Sequence, residues 1–550
     1  MKNKYISILA LVVIILGLAS CQSPEELMPS ISRHGINNII ASFPDDDSDE
    51  NNFASEIDYS NQVITIVIPY NYPLTSTNVM TPDKLIKMRV KANLDDNVTV
   101  SPALLYMDLS RENFLTITDQ TKKKIEYKVV AEIRKSKACA ITKYNITSRG
   151  ISGIIDEANK RISLISVDNI GEALADVAVS HGATIAPDPS KQALNYDQEF
   201  SVVVTAQNGV DKATYTVKKD IPRKMESGLR ANSLKILWAK KLVDLGITTK
   251  NMTTGISAID DYLVINTRAE NSIYLDSKTG LVAGNIDLGV NKGSLVNFYG
   301  TADDGNNILI SNLTPNAGPS FKINKISGVN GTVEPFISFD TKLALGRKIS
   351  VSGNIQTNAI ITAPVYGSAG DFARWQVVNG ELVSQTPQMM KANGIASFGN
   401  NADIVYSDPT NVNSDYFAAF YSAPYKFAWY NGATNDAKYY GNAISSNWII
   451  NAADYIVFNK AKYAIHNSVN SFTWGTDDSI YMYDLNGSSL TNTIKVCDSG
   501  IFGAKALGEQ NPNGTGDVAF GVSKDGYYLY AYFMFTNGYV VCAQFDCIDM

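Results

Sequence analysis

At 550 residues the chain is too long for one hydrophobic core, so about two to four domains are expected. An apolar content of 45% fits a folded protein, while a net charge of -7 argues against nucleic acid, which needs a basic face. Tyr is abundant at 29, which suits strands, and helical periodicity is scarce after the first twenty residues, so an all-β protein is expected.

The chain begins with a basic stretch, Met1-Lys-Asn-Lys4, followed by an apolar run from Ile6 to Leu18. That run has the length of a signal-peptide core and is too short for a stable membrane span. It ends in Leu18-Ala19-Ser20-Cys21, which resembles the bacterial lipoprotein lipobox. The resemblance implies cleavage after residue 20, acylation of Cys21 and a tether over 21–30. Gln22 in place of Asp gives no inner-membrane retention signal, and Glu25-Glu26 resembles the surface-export signal of Bacteroidota lipoproteins. The implied address is the outer membrane, lipid-anchored and facing outward, with a periplasm-facing anchor, or an ordinary secretory signal with an incidental Cys, as the alternatives.

Residues 31–136 and 137–222 read as diverged copies of one β module. Glu56–Ile68 and Ile155–Ile165 each carry a polar turn feeding an alternating strand. Asn97–Pro102 and Ala183–Pro187 are each a strand closing in Ser/Ala-Pro. Strand pairs follow at Phe114–Thr118 with Ile125–Ala131, and at Phe200–Thr205 with Ala213–Val217. Short strands of period two with frequent turns predict two Ig-like β-sandwiches. The run Asp45-Asp-Asp-Ser-Asp-Glu50 lacks the spaced Gly and terminal acid of a calcium loop and reads as solvated. No metal or cofactor is expected.

From 223 to 550 the chain reads as a repeat array. Tyr262–Leu288 is a strand-turn-strand unit turning at Ser277-Lys-Thr-Gly280, and similar hairpins centre on Asn330-Gly331, Asn379-Gly380, Asn431-Gly432, Asn486-Gly487 and Asn537-Gly538. Asn-Gly favours type I′ turns, with φ > 0 at both residues. The Gly intervals, by subtraction, are 51, 49, 52, 55 and 51 residues, the length of a four-stranded propeller blade. Six blades are expected, with seven the alternative. Early blade strands are read at Asn307–Ile310, Ala359–Thr362, Asp403–Tyr406 and Tyr455–Phe458, and Leu234–Lys240 is a lone strand that could complete the last blade and close a ring. Tyr274-Leu-Asp276 with Thr279-Gly280 resembles blades of quinone-binding and outer-membrane-assembly propellers; it occurs once, so the resemblance concerns fold alone.

His34, His181 and His466 sit in no recognisable catalytic context, and Asp303, Asp304, Asp371, Asp477 and Asp478 read as turn formers before paired catalytic acids. After Cys21 four cysteines remain, which permit a disulfide of Cys542 with Cys497 or Cys547 without requiring one. The densest aromatic stretch runs from Tyr416 to Tyr440. Because aromatic faces stack on sugar rings, Tyr421, Tyr425, Trp429, Tyr430 and Tyr440 are the candidate ligand-binding residues.

Lipobox, paired sandwich modules and a propeller-like array together resemble uncharacterised Bacteroidota surface lipoproteins that accompany starch-utilisation-system-type glycan transporters. The resemblance implies a non-catalytic binding protein, membrane-bound through its lipid, that captures polysaccharide or oligosaccharide for an outer-membrane transporter complex. A propeller glycosidase or lyase using carboxylates, and an envelope protein-interaction scaffold, are the alternatives.

Overall fold

The computed structural model describes residues 34–45, 52–269, 271–293, 295–422, 427–441, 449–470, 477–487 and 489–549, and Cys21 and Tyr425 lie outside them. Among the described residues there is no α-helix; strands and short 3-10 turns account for the regular structure. The protein is all-β. The chain divides into two compact units, Met1–Ile221 and Pro222–Met550.

In the first unit the two copies recognised in the sequence share one strand order. Phe53–Asp58, Val63–Pro69, Lys124–Arg134, Asn113–Thr118 and Thr99–Ser101 lie side by side in that order. Ile154–Asp156, Arg161–Ile165, Lys212–Asp220, Phe200–Thr205 and Thr184–Ala186 repeat it. In both copies the second and third of these strands run parallel, and the other pairs antiparallel. The copies differ elsewhere. In the first, Ile36–Ser42, Met88–Leu94 and Tyr106–Met107 extend the same sheet to eight strands; in the second, Ile141–Ile146 pairs in a separate three-stranded sheet. Val63–Pro69 buries every second residue, as a strand with one covered face must, and Ile64, Ile66 and Ile68 form the core with Leu115 and Val129.

Among the described residues the second unit holds, besides a two-stranded pairing of Arg223–Lys224 with Ile548–Asp549, six antiparallel sheets of four or five strands, in most of which successive strands are neighbours. Their first strands are Thr253–Ile259, Tyr299–Ala302, Ser350–Gly353, Asp403–Tyr406, Ala453–Phe458 and Gly516–Val522, which name sheets one to six below. Each first strand packs against that of the next sheet, and the sixth packs against the first, so the set closes on itself. Each of the six interfaces has its own apolar cluster, from Ile259, Ile308 and Ile326 between sheets one and two to Trp238, Leu263 and Tyr532 between sheets six and one. A sheet flanked on both faces loses the period-two pattern. Asn307–Ser311 and Ala359–Pro364 are accordingly buried at every position.

Closure is made by the strand that was isolated in sequence. Lys235–Lys241 pairs antiparallel with Tyr539–Asp546 as the outer strand of sheet six, and Arg230 donates two hydrogen bonds to the Asp546 carboxylate at 2.7 and 2.6 Å. The Asn537-Gly538 turn therefore joins the second and third strands of its sheet, whereas the turns at Gly280 and at the other four Asn-Gly sites join the third and fourth. The other early strands divide likewise: Asn307–Ser311 and Ala359–Pro364 are second strands, Asp403–Tyr406 and Ala453–Phe458 first strands. Type I′ geometry is also less general than expected. Asn379 (φ 51°) and Gly380 (φ 82°) both have positive φ, but the other Asn-Gly pairs do not. At Asn431 the loop is longer, and the side-chain oxygen accepts hydrogen bonds from the Ala433 and Thr434 amides at 2.9 and 3.3 Å, an Asx turn.

Among the described residues no disulfide forms: Cys139, Cys497, Cys542 and Cys547 are free thiols, with Cys542 and Cys547 packed in the core of the closing sheet.

Candidate functional site

The six first strands enter the centre of the ring side by side, and together they wall a cavity of about 420 Å³. Every sheet contributes to it. Tyr455 and Phe520 supply aromatic wall, Ser257 and Ser352 hydroxyls, and Asp304 and Asp454 carboxyls.

Most acids at the axis are held by backbone amides of the next sheet. Asp403 accepts from Ala453 N at 3.1 Å, Asp454 from Phe520 N at 2.7 Å, and Asp517 from Ile256 N at 2.8 Å. Asp303, at the end of the first strand of sheet two, accepts from Ile355 N at 2.8 Å and from Gly305 and Asn307 amides in its own turn. These carboxylates stitch sheet to sheet, and the Asp517 bond closes the ring from sheet six to sheet one. Asp303 is thus the turn former read from the sequence. Its neighbour Asp304 is solvent-accessible on the concave wall, where the surrounding protein, and then Asp303, raise its carboxyl above the usual range.

Beneath the cavity the axis is plugged by a buried ion cluster. Lys348 contacts Asp517, lies 3.9 Å from Asp403 and donates to the Tyr299 hydroxyl at 3.3 Å, and Tyr299 in turn donates to Asp517 at 2.9 Å. All three charged side chains are at least 95% buried. Burial pushes Asp403 up to about 6 even against Lys348, and lifts the Tyr299 hydroxyl well above its ordinary value. Burial likewise pushes Asp454 up to about 7 against the lowering effect of its two backbone amides, with Asp304 and Asp403 adding to the rise.

Sequence reasoning placed the site elsewhere. Tyr430 is fully buried, stacked on Tyr416 with centroids 5.1 Å apart and donating to Asn393 O at 3.0 Å, so it is a packing residue of the interface between sheets three and four and not a ligand contact. Trp429 is half-buried; its Nε1 donates to Asp415 at 2.8 Å, Lys438 lies over its ring and Tyr439 packs at 5.6 Å. Tyr440 pairs with Ala428 across the outer edge of sheet four and is exposed, as is Tyr421. None of these four lines the axial cavity. The axial acids were missed although they share a local pattern: Ala402-Asp403-Ile-Val, Ala453-Asp454-Tyr-Ile and Gly516-Asp517-Val-Ala each put an Asp at the entry of an apolar run. A charge there has to be satisfied by a neighbouring strand.

His466 is fully buried, its Nδ1 paired with Asn467 O at 2.9 Å and its Nε2 with the Tyr483 hydroxyl at 3.3 Å, and burial lowers it to about 4. It lines no cavity described above and is an ordinary strand histidine. Because the unfolded chain takes up a proton near pH 6.5 and the folded chain only near 4, His466 costs stability as pH falls through that window. Asp403 and Asp454 act in the opposite sense, their raised values favouring the fold at low pH and losing that contribution as pH rises through about 6 and about 7. Comparing wild type with His466→Gln cancels the two acids. The stability of the variant relative to wild type is expected to improve by up to about 3 kcal/mol between pH 7 and pH 4, read from urea unfolding at both values. A difference independent of pH would refute the assignment.

Comparison with known proteins gives families without assigned roles. A model described as Domain of unknown function (DUF8500) matches residues 236–547; models described as Domain of unknown function (DUF5018) and Domain of unknown function (DUF8499) match residues 16–131 and 141–219. Among solved structures, a DUF4623 family protein from Bacteroides eggerthii DSM 20697 is similar, with 15% identity and a TM-score of 0.44, over 75% of this chain and 99% of that chain. No curated protein matches the chain.

Proposed function

The chain belongs to the family described as Domain of unknown function (DUF8500), and from that premise we propose that residues 223–550 form a six-bladed β-propeller whose axial cavity binds the end of a saccharide without turning it over. The observation that carries this reading is the cavity itself, about 420 Å³ and reached by the first strand of all six sheets. Its size is that of a small-ligand site, and hydroxyls, carboxyls and the half-buried face of Tyr455 are the groups that hold a polyol. Binding is favoured over turnover because Asp403 and Asp517 are almost fully buried and already matched by Lys348 and by backbone amides, so neither is free to act on a ligand. In this reading residues 31–222 are two Ig-like spacer modules, Cys21 carries the lipid that holds the protein to the outer face of the outer membrane, and the captured saccharide passes to a transporter there.

A glycan array probed with the mature chain tests the reading, followed by calorimetry on any hit. Asp304→Asn, at an accessible wall position, is expected to weaken binding about tenfold with the melting temperature nearly unchanged. Absence of any glycan binding, or affinity unaltered in Asp304→Asn, would sink it.

One observation favours a hydrolytic alternative. Asp304 and Asp454 both line the cavity, and burial raises both carboxyls above their usual range, as the acid of a carboxylate pair requires. Product release from a polysaccharide panel, abolished by Asp454→Asn, would establish it over simple binding.

A further inference from the structure

The N-terminal ends of the same six first strands surround a second cavity, of about 300 Å³, on the other side of the buried ion cluster. Its chemistry is the reverse of the first. Arg268 and Arg347 line it, with Asn316, Asn401 and Asn451 around them, and no acidic residue is among its lining.

The two arginines share one support. The Phe298 ring lies 5.0 Å from the Arg268 guanidinium carbon and 5.8 Å from that of Arg347, and Arg347 also lies 4.9 Å from the centroid of Tyr366. Aromatic faces hold guanidinium groups flat and leave their edges to bond. Few of those edges are used. Arg268 donates through Nη2 to Asn251 O at 2.6 Å, while Nε of Arg268 and Nε of Arg347 are buried without a hydrogen-bond partner. Among the described residues no carboxylate is paired with either arginine, whereas Lys348 at the floor of the cavity is already matched by Asp517.

Two partly buried like charges with unmatched donors are costly unless something supplies the missing acceptors. Burial, and for Arg268 the neighbouring Arg347, also make both guanidinium groups easier to deprotonate than usual, the electrostatic mark of an uncompensated pair. A carboxylate, sulfate or phosphate offers the planar or forked acceptor set that two guanidinium edges match. The cavity is larger than a bare inorganic ion needs, so the anion would be one group of a small organic molecule.

We propose that Arg268 and Arg347 form a binding site for a small ligand bearing an oxyanion, at the opposite end of the ring axis from the carboxylate-lined cavity. This site does not depend on what the first cavity holds.

Calorimetric titration of the mature chain with sodium sulfate, sodium phosphate and sodium glucuronate, against sodium chloride at matched ionic strength, tests it. At least one oxyanion is expected to bind saturably and to raise the melting temperature above the chloride control, and which one does so identifies the group recognised. Arg268→Gln and Arg347→Gln are each expected to weaken that binding at least about tenfold, while Lys495→Gln, a surface cation, leaves it unchanged. Should a glutamine variant fail to fold, Arg347→Lys keeps the charge but loses the fork and is expected to give an intermediate loss. The proposal is overturned if none of the three anions binds wild type beyond the chloride control, or if the arginine variants bind as wild type does.

Discussion

Lys348→Met is expected to destabilise the second unit by about 3–5 kcal/mol, the cost of removing one partner from a buried ion pair. Methionine fills nearly the same volume, so packing is conserved and the loss is electrostatic. Asp517 and Asp403 are each 2% exposed and would remain at the axis without their cation. Because Lys348 holds Asp403 down, its loss raises that carboxyl further above about 6, so the deficit is expected to shrink as pH falls below that value. Lys348→Met/Asp517→Asn is expected to cost less than the sum of the two single changes, since the second removes a charge that the first left unmatched. Urea unfolding of the protein reads all of these. A Lys348→Met variant within about 1 kcal/mol of wild type would show that the cluster does not hold the ring together.

Removal of residues 539–550 is expected to abolish folding of the second unit and leave the first intact. The lost segment contains Tyr539–Asp546, whose Val540, Val541 and Cys542 are completely buried between the second strand of its sheet and Lys235–Lys241. Each large apolar side chain there contributes about 1.5–3 kcal/mol, and several lost together exceed the roughly 5–15 kcal/mol that holds a domain folded. Opening the ring also unpairs Lys235–Lys241 and the Arg230–Asp546 ion pair. Limited proteolysis should yield a resistant fragment ending near residue 221, the limit of a unit with its own cores. Persistence of a resistant second unit in the truncated chain would contradict the dependence on closure.

Legibility differed sharply between fold and site, and particular residues show why. Gly280 and five Asn-Gly pairs could be read as a period because turns are local: the residues that form them are adjacent in the chain. The paired modules were legible for the same reason, each strand carrying its own alternation. Tyr430 misled because an aromatic in a strand has the same local signature whether its ring meets solvent or, as here, stacks on Tyr416 in a sheet interface. Arg268 and Arg347 carried no signal at all. They lie 79 residues apart by subtraction, Arg268 just after the second strand of sheet one and Arg347 just before the first strand of sheet three, and only closure of the ring places both against Phe298.

The sequence by itself determined that this protein is made of strands, that its first unit repeats a strand pattern, that about six similar units follow at a spacing near 50 residues, and that Leu234–Lys240 was left over to pair with a distant partner. These properties follow from local backbone preference and the periodicity of apolar residues, which act over a few neighbours. Tertiary structure alone decided which turns lie between which strands, which aromatics are core, and what meets on the axis. There the physical reason is closure: six strands far apart in the chain are brought within hydrogen-bonding distance of one another. Charges such as Asp403, Asp517 and Lys348 are satisfied only by partners that sequence distance hides.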